Sequence, residues 1–197
     1  AIVAHIPGLK VAMPSSALEA KGLLKTAIRD NNPVVIFEDK LMYQDKAEVP
    51  EGEFLIPFGV ANVKREGSDI TLVGTSSMVQ VAEKAAEILA VEGISAEVID
   101  PRTIVPLDMD TINTSVRKTS RCIVIDEGHQ SFGITSEIAS RIMEQSFYHL
   151  DGPVIRMGAM DVPIPFSPAL EDITVPTPEG VVAVARRLMA GEMINVS

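Results

Sequence analysis

Ala27-Ile28-Arg29-Asp30-Asn31-Asn32-Pro33 gathers main-chain carbonyls, one carboxylate and two side-chain amides into a single short turn. Asn and Pro stop a helix here, and the apolar run Val34-Val35-Ile36-Phe37 follows at once, with Glu38 at its far end. The last carbonyls of a helix lack partners within it and form the negative end of its dipole. With the Asp30 carboxylate they make an oxygen-rich corner whose chemistry suits a hard cation. The same residues suit an ordinary helix C-terminus equally well, so composition and spacing leave both readings open.

Other groups with chemical potential are scattered. His5 sits beside Pro7-Gly8 and reads as a structural donor in a turn. His129, in Asp126-Glu127-Gly128-His129, falls just past the C-terminal end of a strand, the edge where open α/β sheets bind ligands; a solvated loop or a subunit contact is the plainer reading. His149 reads as an end-of-helix residue, and the three histidines have no metal-ligand spacing. Gly74-Thr75-Ser76-Ser77 lacks the glycine spacing of a phosphate loop, so Ser76 or Ser77 is expected simply to cap the next helix. Asp151, in Asp-Gly-Pro, reads as a surface turn.

These residues must be positioned by a chain of 197 residues, 46% hydrophobic, which is enough for a real core. The formal charge of -10 repels phosphate backbones and anionic lipids. Nucleic-acid and membrane partners are therefore not expected, whereas a basic module would be attracted. The single cysteine, Cys122, lies in an apolar run and reads as a core residue. The absence of a disulfide framework fits a reducing compartment, and with no membrane-length apolar run the expectation is a cytoplasmic protein, or one of the mitochondrial matrix in a eukaryote.

Short apolar runs alternate with helical patterns. Strands are expected over Lys10–Met13, Val34–Glu38, Asp69–Gly74, Ala96–Asp100, Arg121–Asp126 and Val154–Met157; their continuous apolar character marks strands covered on both faces. Ser16 and Glu19 form a capping box before Leu23, Leu24, Ala27 and Ile28. Met78, Ala82, Ala85, Ala86 and Leu89 make a second helical stripe ended by Gly93; Asp108 and Asp110 open a third helix; Ile134, Ile138, Ile142 and Phe147 mark a fourth; Val181, Ala185 and Leu188 mark the last. The alternation predicts an α/β fold with a parallel-dominated sheet flanked by helices. Asp39 to Gly67, rich in Pro, Gly and charge, reads as a linker or a long connection.

His5-Ile6-Pro7-Gly8-Leu9-Lys10-Val11, Pro14-Ser15, Ala20-Lys21-Gly22-Leu23-Leu24 and Ala27 to Val35 resemble the beta subunit of two-oxoacid dehydrogenases of the pyruvate, branched-chain and acetoin types. Leu55-Ile56-Pro57, Ile99-Asp100-Pro101-Arg102-Thr103, Phe132-Gly133-Ile134, Asp161-Val162-Pro163-Ile164-Pro165 and Leu170-Glu171-Asp172 continue the likeness in the right order.

The resemblance implies a remnant of a pyrimidine-binding domain over residues 1–43, a linker over 44–64 and a transketolase-type C-terminal domain over 65–197. It implies thiamine diphosphate as cofactor of the full-length enzyme, bound mostly outside these residues, and oxidative decarboxylation with acyl transfer to lipoyl groups. It implies as partners an alpha subunit, a second beta subunit in a heterotetramer, and the subunit-binding domain of a dihydrolipoyl acyltransferase core. For the turn it implies potassium, held by the carbonyls of Ala27, Ile28 and Asn32 and by Asp30. For Asp151 it implies a contact with a basic residue of the subunit-binding domain. It implies no catalytic and no cofactor-binding residue here, so the piece serves assembly and docking and is inactive by itself. A transketolase-like or deoxyxylulose phosphate synthase-like transferase domain and a non-catalytic interaction module are the alternatives.

Overall fold

The computed structural model of the chain describes residues 1–192; residues 193–197 of the expected C-terminal domain lie outside them. The described elements are β1 (Lys10–Ala12), α1 (Ala17–Ile28), β2 (Val34–Ile36), β3 (Asn62–Arg65), β4 (Ile70–Gly74), α2 (Met78–Val91), β5 (Ala96–Asp100), β6 (Thr103–Val105), α3 (Met109–Thr119), β7 (Cys122–His129), α4 (Ile134–Ser146), β8 (Ile155–Ala159), α5 (Pro168–Glu171) and α6 (Pro178–Met189). Every apolar run expected to be a strand is one, with small shifts at its ends.

Five strands form the main sheet in the order β3-β5-β4-β7-β8. The pairs β4–β5, β4–β7 and β7–β8 are parallel, and only the edge pair β3–β5 is antiparallel. Alternation along the central strand sorts the two cores. Ile70 and Leu72 pack with α2 and α6 through Leu89, Val181, Ala185 and Leu188. Val73, with Ile99, Cys122 and Val124, packs on the other face against Ile112 and Val116 of α3 and Ile138 and Ile142 of α4. Thr71, between them, is buried but satisfied: its hydroxyl lies 2.7 Å from those of Ser115 and Thr119.

The helix caps follow the sequence in part. Ser16 accepts the Glu19 N–H at 3.3 Å and Asp108 accepts the Thr111 N–H at 3.0 Å. Gly93 ends α2 with φ +81°. Ser76 and Ser77 do not cap α2. The Ser76 hydroxyl donates to the Pro14 carbonyl and that of Ser77 to Glu127, so both are drawn off by neighbouring segments. Helix α4 stops at Ser146, and Phe147–His149 continues as a one-turn 3-10 segment.

The largest departures from the sequence reading concern two short strands. Asn62-Val63-Lys64-Arg65, inside the stretch expected to be a linker, is edge strand β3; its polar composition hides it. Thr103-Ile104-Val105 is β6, and it leaves the main sheet altogether. It pairs antiparallel with β1 (Val11↔Val105, Ala12↔Thr103), while β1 pairs parallel with β2 (Lys10↔Val34). The opening strand-helix-strand thus completes its small sheet with a strand from the second half of the chain. The connection after β2 also carries packing, since Ile56 and Phe54 cover Leu23 and Ala12.

Gly67 enters the main sheet where no side chain fits. A Cβ there would lie 2.2 Å from the carbonyl carbon of Ala96 and 2.3 Å from the Glu97 nitrogen, both backbone. We expect Gly67→Ala to destabilise the fold by about 2–3 kcal/mol in urea unfolding; a loss below about 0.5 kcal/mol would show that this edge yields freely.

Candidate functional site

The turn after α1 holds its four expected residues together. Ala27 and Ile28 end the helix, and the Ala27 carbonyl accepts the Asp30 N–H at 3.1 Å. Both oxygens of Asp30 are engaged: Oδ2 accepts Lys10 Nζ at 2.5 Å, and Oδ1 accepts the Asn32 N–H at 2.9 Å and the Asn32 side-chain amide at 3.0 Å. These bonds, that from Lys10 first and the Asn32 N–H next, hold the Asp30 carboxyl at about 2. Lys10 reaches the turn from the head of β1, with its ammonium 5.8 Å from the centre of the Phe58 ring. The corner is oxygen-rich, as its residue types indicate, and the chain supplies its own cation to the carboxylate.

A second cluster, not assembled in the reading of the sequence, lies between α1 and the end of β5. The buried carboxylate of Glu19 accepts the hydroxyls of Ser15 at 2.5 Å and Ser16 at 2.8 Å. Arg102 Nε lies 3.3 Å and Lys64 Nζ 3.8 Å from its other oxygen. Burial pulls the Glu19 carboxyl up, but the Ser15 hydroxyl, Lys64, Ser16 and Arg102 outweigh it and hold Glu19 below the usual carboxylate range. Asp100 is fully buried; burial first, then the charge on Glu19, push it up to about 7. The signals for this cluster were the capping box and the Asp100-Pro101-Arg102 run, each readable as a local motif but not as two halves of one contact.

The strand order reverses at β4, so the crevice outside the carboxyl ends of β4 and β7 is where a sheet of this kind binds ligands. Here it is partly filled. The Thr75 hydroxyl donates to Asp126, the Gly128 N–H donates to the same carboxylate at 3.1 Å, and Ser76 donates to the Pro14 carbonyl at 3.3 Å. Val11, Met13 and Phe37 of the N-terminal segment lie over the strand ends and leave about 190 Å3, which adjoins a cavity of about 930 Å3 lined by His5, Pro106, Phe132, Glu137 and Arg141. Burial, opposed by the Ser77 hydroxyl and aided by the charges of Asp39 and Asp126, raises the Glu127 carboxyl.

The remaining candidates lie apart. His129 is the last residue of β7, its Nδ1 2.9 Å from the Met160 carbonyl; His5 and His149 are exposed. Burial pushes the Cys122 thiol far up, as suits a core residue. Asp151 is 57% exposed by its side chain and pairs with Arg121 at 3.3 Å. No cluster of three or more acidic, His or Cys side chains that could hold a metal occurs among the described residues, and none of the described helices is long and apolar enough to cross a membrane.

Comparison with known proteins matches residues 59–181 to the family described as transketolase, C-terminal domain, and residues 1–46 to transketolase, pyrimidine binding domain. This chain belongs to the transketolase C-terminal domain family. Its transketolase-type domain carries a short piece of the pyrimidine-binding type in front of it. The chain is 47% identical over 190 residues to the protein named acetoin:2,6-dichlorophenolindophenol oxidoreductase subunit beta of Bacillus subtilis, covering 96% of this chain and 56% of that protein. It is 49% identical over 188 residues to pyruvate dehydrogenase E1 component subunit beta-1, mitochondrial, of rice (Oryza sativa subsp. japonica), covering 93% and 50%, and 50% identical over 185 residues to the subunit beta of Pisum sativum, covering 92% and 52%. The chain therefore spans about half the length of these relatives. Among solved structures it resembles a split-gene transketolase, described as an inactive beta4 tetramer, with TM-score 0.79 and 25% identity over 98% of this chain and 60% of that one.

The Lys10–Asp30 bond yields a pH prediction. Asp30 has a folded value near 2, below the ordinary aspartate value of about 3.9, so its contribution is present above about pH 4 and lost as pH falls through about 2. We expect Asp30→Asn to melt below wild type at pH 6, with the difference vanishing near pH 2 in calorimetry. A difference that stayed constant through this range would contradict the ion pair.

Proposed function

We propose that this chain is the C-terminal part of the beta subunit of a thiamine-diphosphate-dependent two-oxoacid dehydrogenase, of the pyruvate or acetoin type, and that it serves subunit assembly and partner docking. The likeness to dehydrogenase beta subunits over more than nine-tenths of the chain carries this reading. The space directly over the ends of β4 and β7 is about 190 Å3, small for a ligand site, and it adjoins a cavity of about 930 Å3 between the N-terminal residues and Phe132–Ile134. The names of the relatives support the dehydrogenase assignment.

Thiamine diphosphate, when bound in the full-length enzyme, supplies the carbanion chemistry of decarboxylation and of acyl transfer to lipoyl groups. Our assignment gives the described residues no step of that chemistry. They offer surfaces instead: Phe132, Tyr148 and Phe166 are almost wholly exposed, as aromatic anchors at subunit contacts are in a free subunit. We assign these surfaces to an alpha subunit and a second beta subunit in a heterotetramer. Asp151 we assign to the subunit-binding domain of a dihydrolipoyl acyltransferase core, where the net charge of -10 would draw in a basic module. Residues 1–43 then belong to a pyrimidine-binding domain, 44–64 to a linker and 65–197 to the transketolase-type domain. The lone buried thiol suits a cytoplasmic enzyme, or one of the mitochondrial matrix in a eukaryote.

At the turn, the carbonyls of Ala27, Ile28 and Asn32 with Asp30 are a donor set of the right type for potassium. Lys10 already neutralises the carboxylate, so potassium would bind chiefly through the carbonyls, beside or in place of the ammonium. A transketolase-like transferase split over two chains is the second reading, favoured by the likeness to the split-gene enzyme.

The full-length gene product, mixed with its cognate alpha subunit and thiamine diphosphate, is expected to reduce 2,6-dichlorophenolindophenol with pyruvate or acetoin, more so in potassium than in sodium. Two-carbon transfer between sugar phosphates without dye reduction would overturn the dehydrogenase reading in favour of the second. For docking, Asp151→Ala is expected to slow association with the subunit-binding domain about two- to tenfold at low salt, with little effect on dissociation. Unchanged association at low salt would remove Asp151 from that interface.

A further inference from the structure

The hydroxyl of Ser15 is 2.5 Å from Oε2 of Glu19 and 2.6 Å from Oδ2 of Asp100. A hydroxyl has one proton and can donate to one of these oxygens only. The other short contact requires its carboxyl to be the donor. Two carboxyls bridged in this way therefore hold one acid proton between them.

The surroundings decide where it sits. Glu19 faces two cations, Arg102 and Lys64, and accepts a further hydroxyl from Ser16. Asp100 Oδ1 accepts the Arg102 N–H at 2.8 Å, while Oδ2 has only the Ser15 hydroxyl. Glu19 is therefore the ionised member; Asp100 is protonated and donates to Ser15, which donates to Glu19. β3, paired with β5, carries Lys64 and Arg65; the Lys64 charge also acts on Asp100, but less than burial and the charge on Glu19, which push the other way. β4 and β6 carry no titratable group, and Lys10, the only one on β1, is bonded to Asp30.

We propose that the carboxyl pair Asp100–Glu19, bridged by Ser15, is a pH-sensitive latch that clamps the N-terminal strand-helix-strand onto the C-terminal sheet in mild acid and loosens as pH rises to neutrality. The three residues come from both sides of the seam: Ser15 and Glu19 from the start of α1, Asp100 from the end of β5. Removing the proton leaves two carboxylates against one hydroxyl. The sign follows from linkage. Asp100 in the closed latch is raised to about 7, above its value near 3.9 when solvated, so closure takes up a proton. The latch is strongest near pH 4–5, weakens up to about pH 7 and changes no further above that. Below that window Glu19, with its lowered value, is protonated in turn and its ion pairs are lost.

The test is hydrogen exchange of the α1 amides in the purified chain, expressed as protection factors between pH 5 and pH 8. Wild-type protection is expected to fall by about tenfold or more from pH 5 to pH 7 and then level off. Asp100→Asn keeps an acceptor for the Arg102 N–H and a permanent donor for Ser15, so its protection is expected to be flat. A flat wild-type profile, or an unchanged slope in Asp100→Asn, overturns the latch. Should the variant not fold, the carboxyl 13C shift of Asp100 in wild type decides the matter: a midpoint near 7 supports the latch, and one near 4 refutes it.

Discussion

One residue, Arg102, ties the two halves of this chain together. Its carbonyl accepts the Met13 N–H at 2.9 Å, its own N–H reaches Asp100, and its guanidinium reaches the buried Glu19. It does so with φ +59°, a left-handed conformation that a non-glycine residue adopts only when its surroundings demand it. That bend turns the chain out of the main sheet after β5 and delivers β6 alongside β1. Glu19 is the reciprocal constraint. A carboxylate buried at the start of a helix is costly unless hydroxyls and cations meet it, and here Ser15, Ser16, Arg102 and Lys64 all do.

The placement of everything near the carboxyl ends of the sheet follows from that joint. With β1 fixed against β6, Met13 and Pro14 lie over the ends of β4 and β7 and take up part of the crevice that an open α/β sheet offers a ligand. Ahead of β2, the Lys10–Asp30 bond ties the first residue of β1 to the turn, with Phe58 of the long connection beside the ammonium. Phe132, Tyr148, Phe166 and Asp151 are conspicuous exposed groups away from this joint.

Much of this was legible in the residues. The six apolar runs became strands because continuous Val, Ile and Leu suit a sheet covered on both faces, and Asp108 and Gly93 mark helix ends by chemistry that acts locally. What stayed hidden was non-local. Asn62–Arg65 reads as polar linker, because an edge strand needs burial on only part of one face. Thr103–Val105 is too short to show a period, and its partner lies about ninety residues earlier in the sequence. Ser76 and Ser77 look like caps until Pro14 and Glu127 are brought within reach of their hydroxyls. Glu19 shows the limit most clearly: its capping-box role is real, yet the same carboxylate is the centre of a contact spanning eighty-three positions to Arg102.

The joint between the two halves therefore rests on an energetic coupling between Arg102 and Glu19 across the seam. A double-mutant cycle with Glu19→Gln, Arg102→Met and the pair, read from urea unfolding at pH 7.5, measures it directly. A coupling of about 1–3 kcal/mol is predicted for a buried, hydrogen-bonded pair. Single-variant losses that add to within about 0.3–0.5 kcal/mol would show that the two halves are held together by something else.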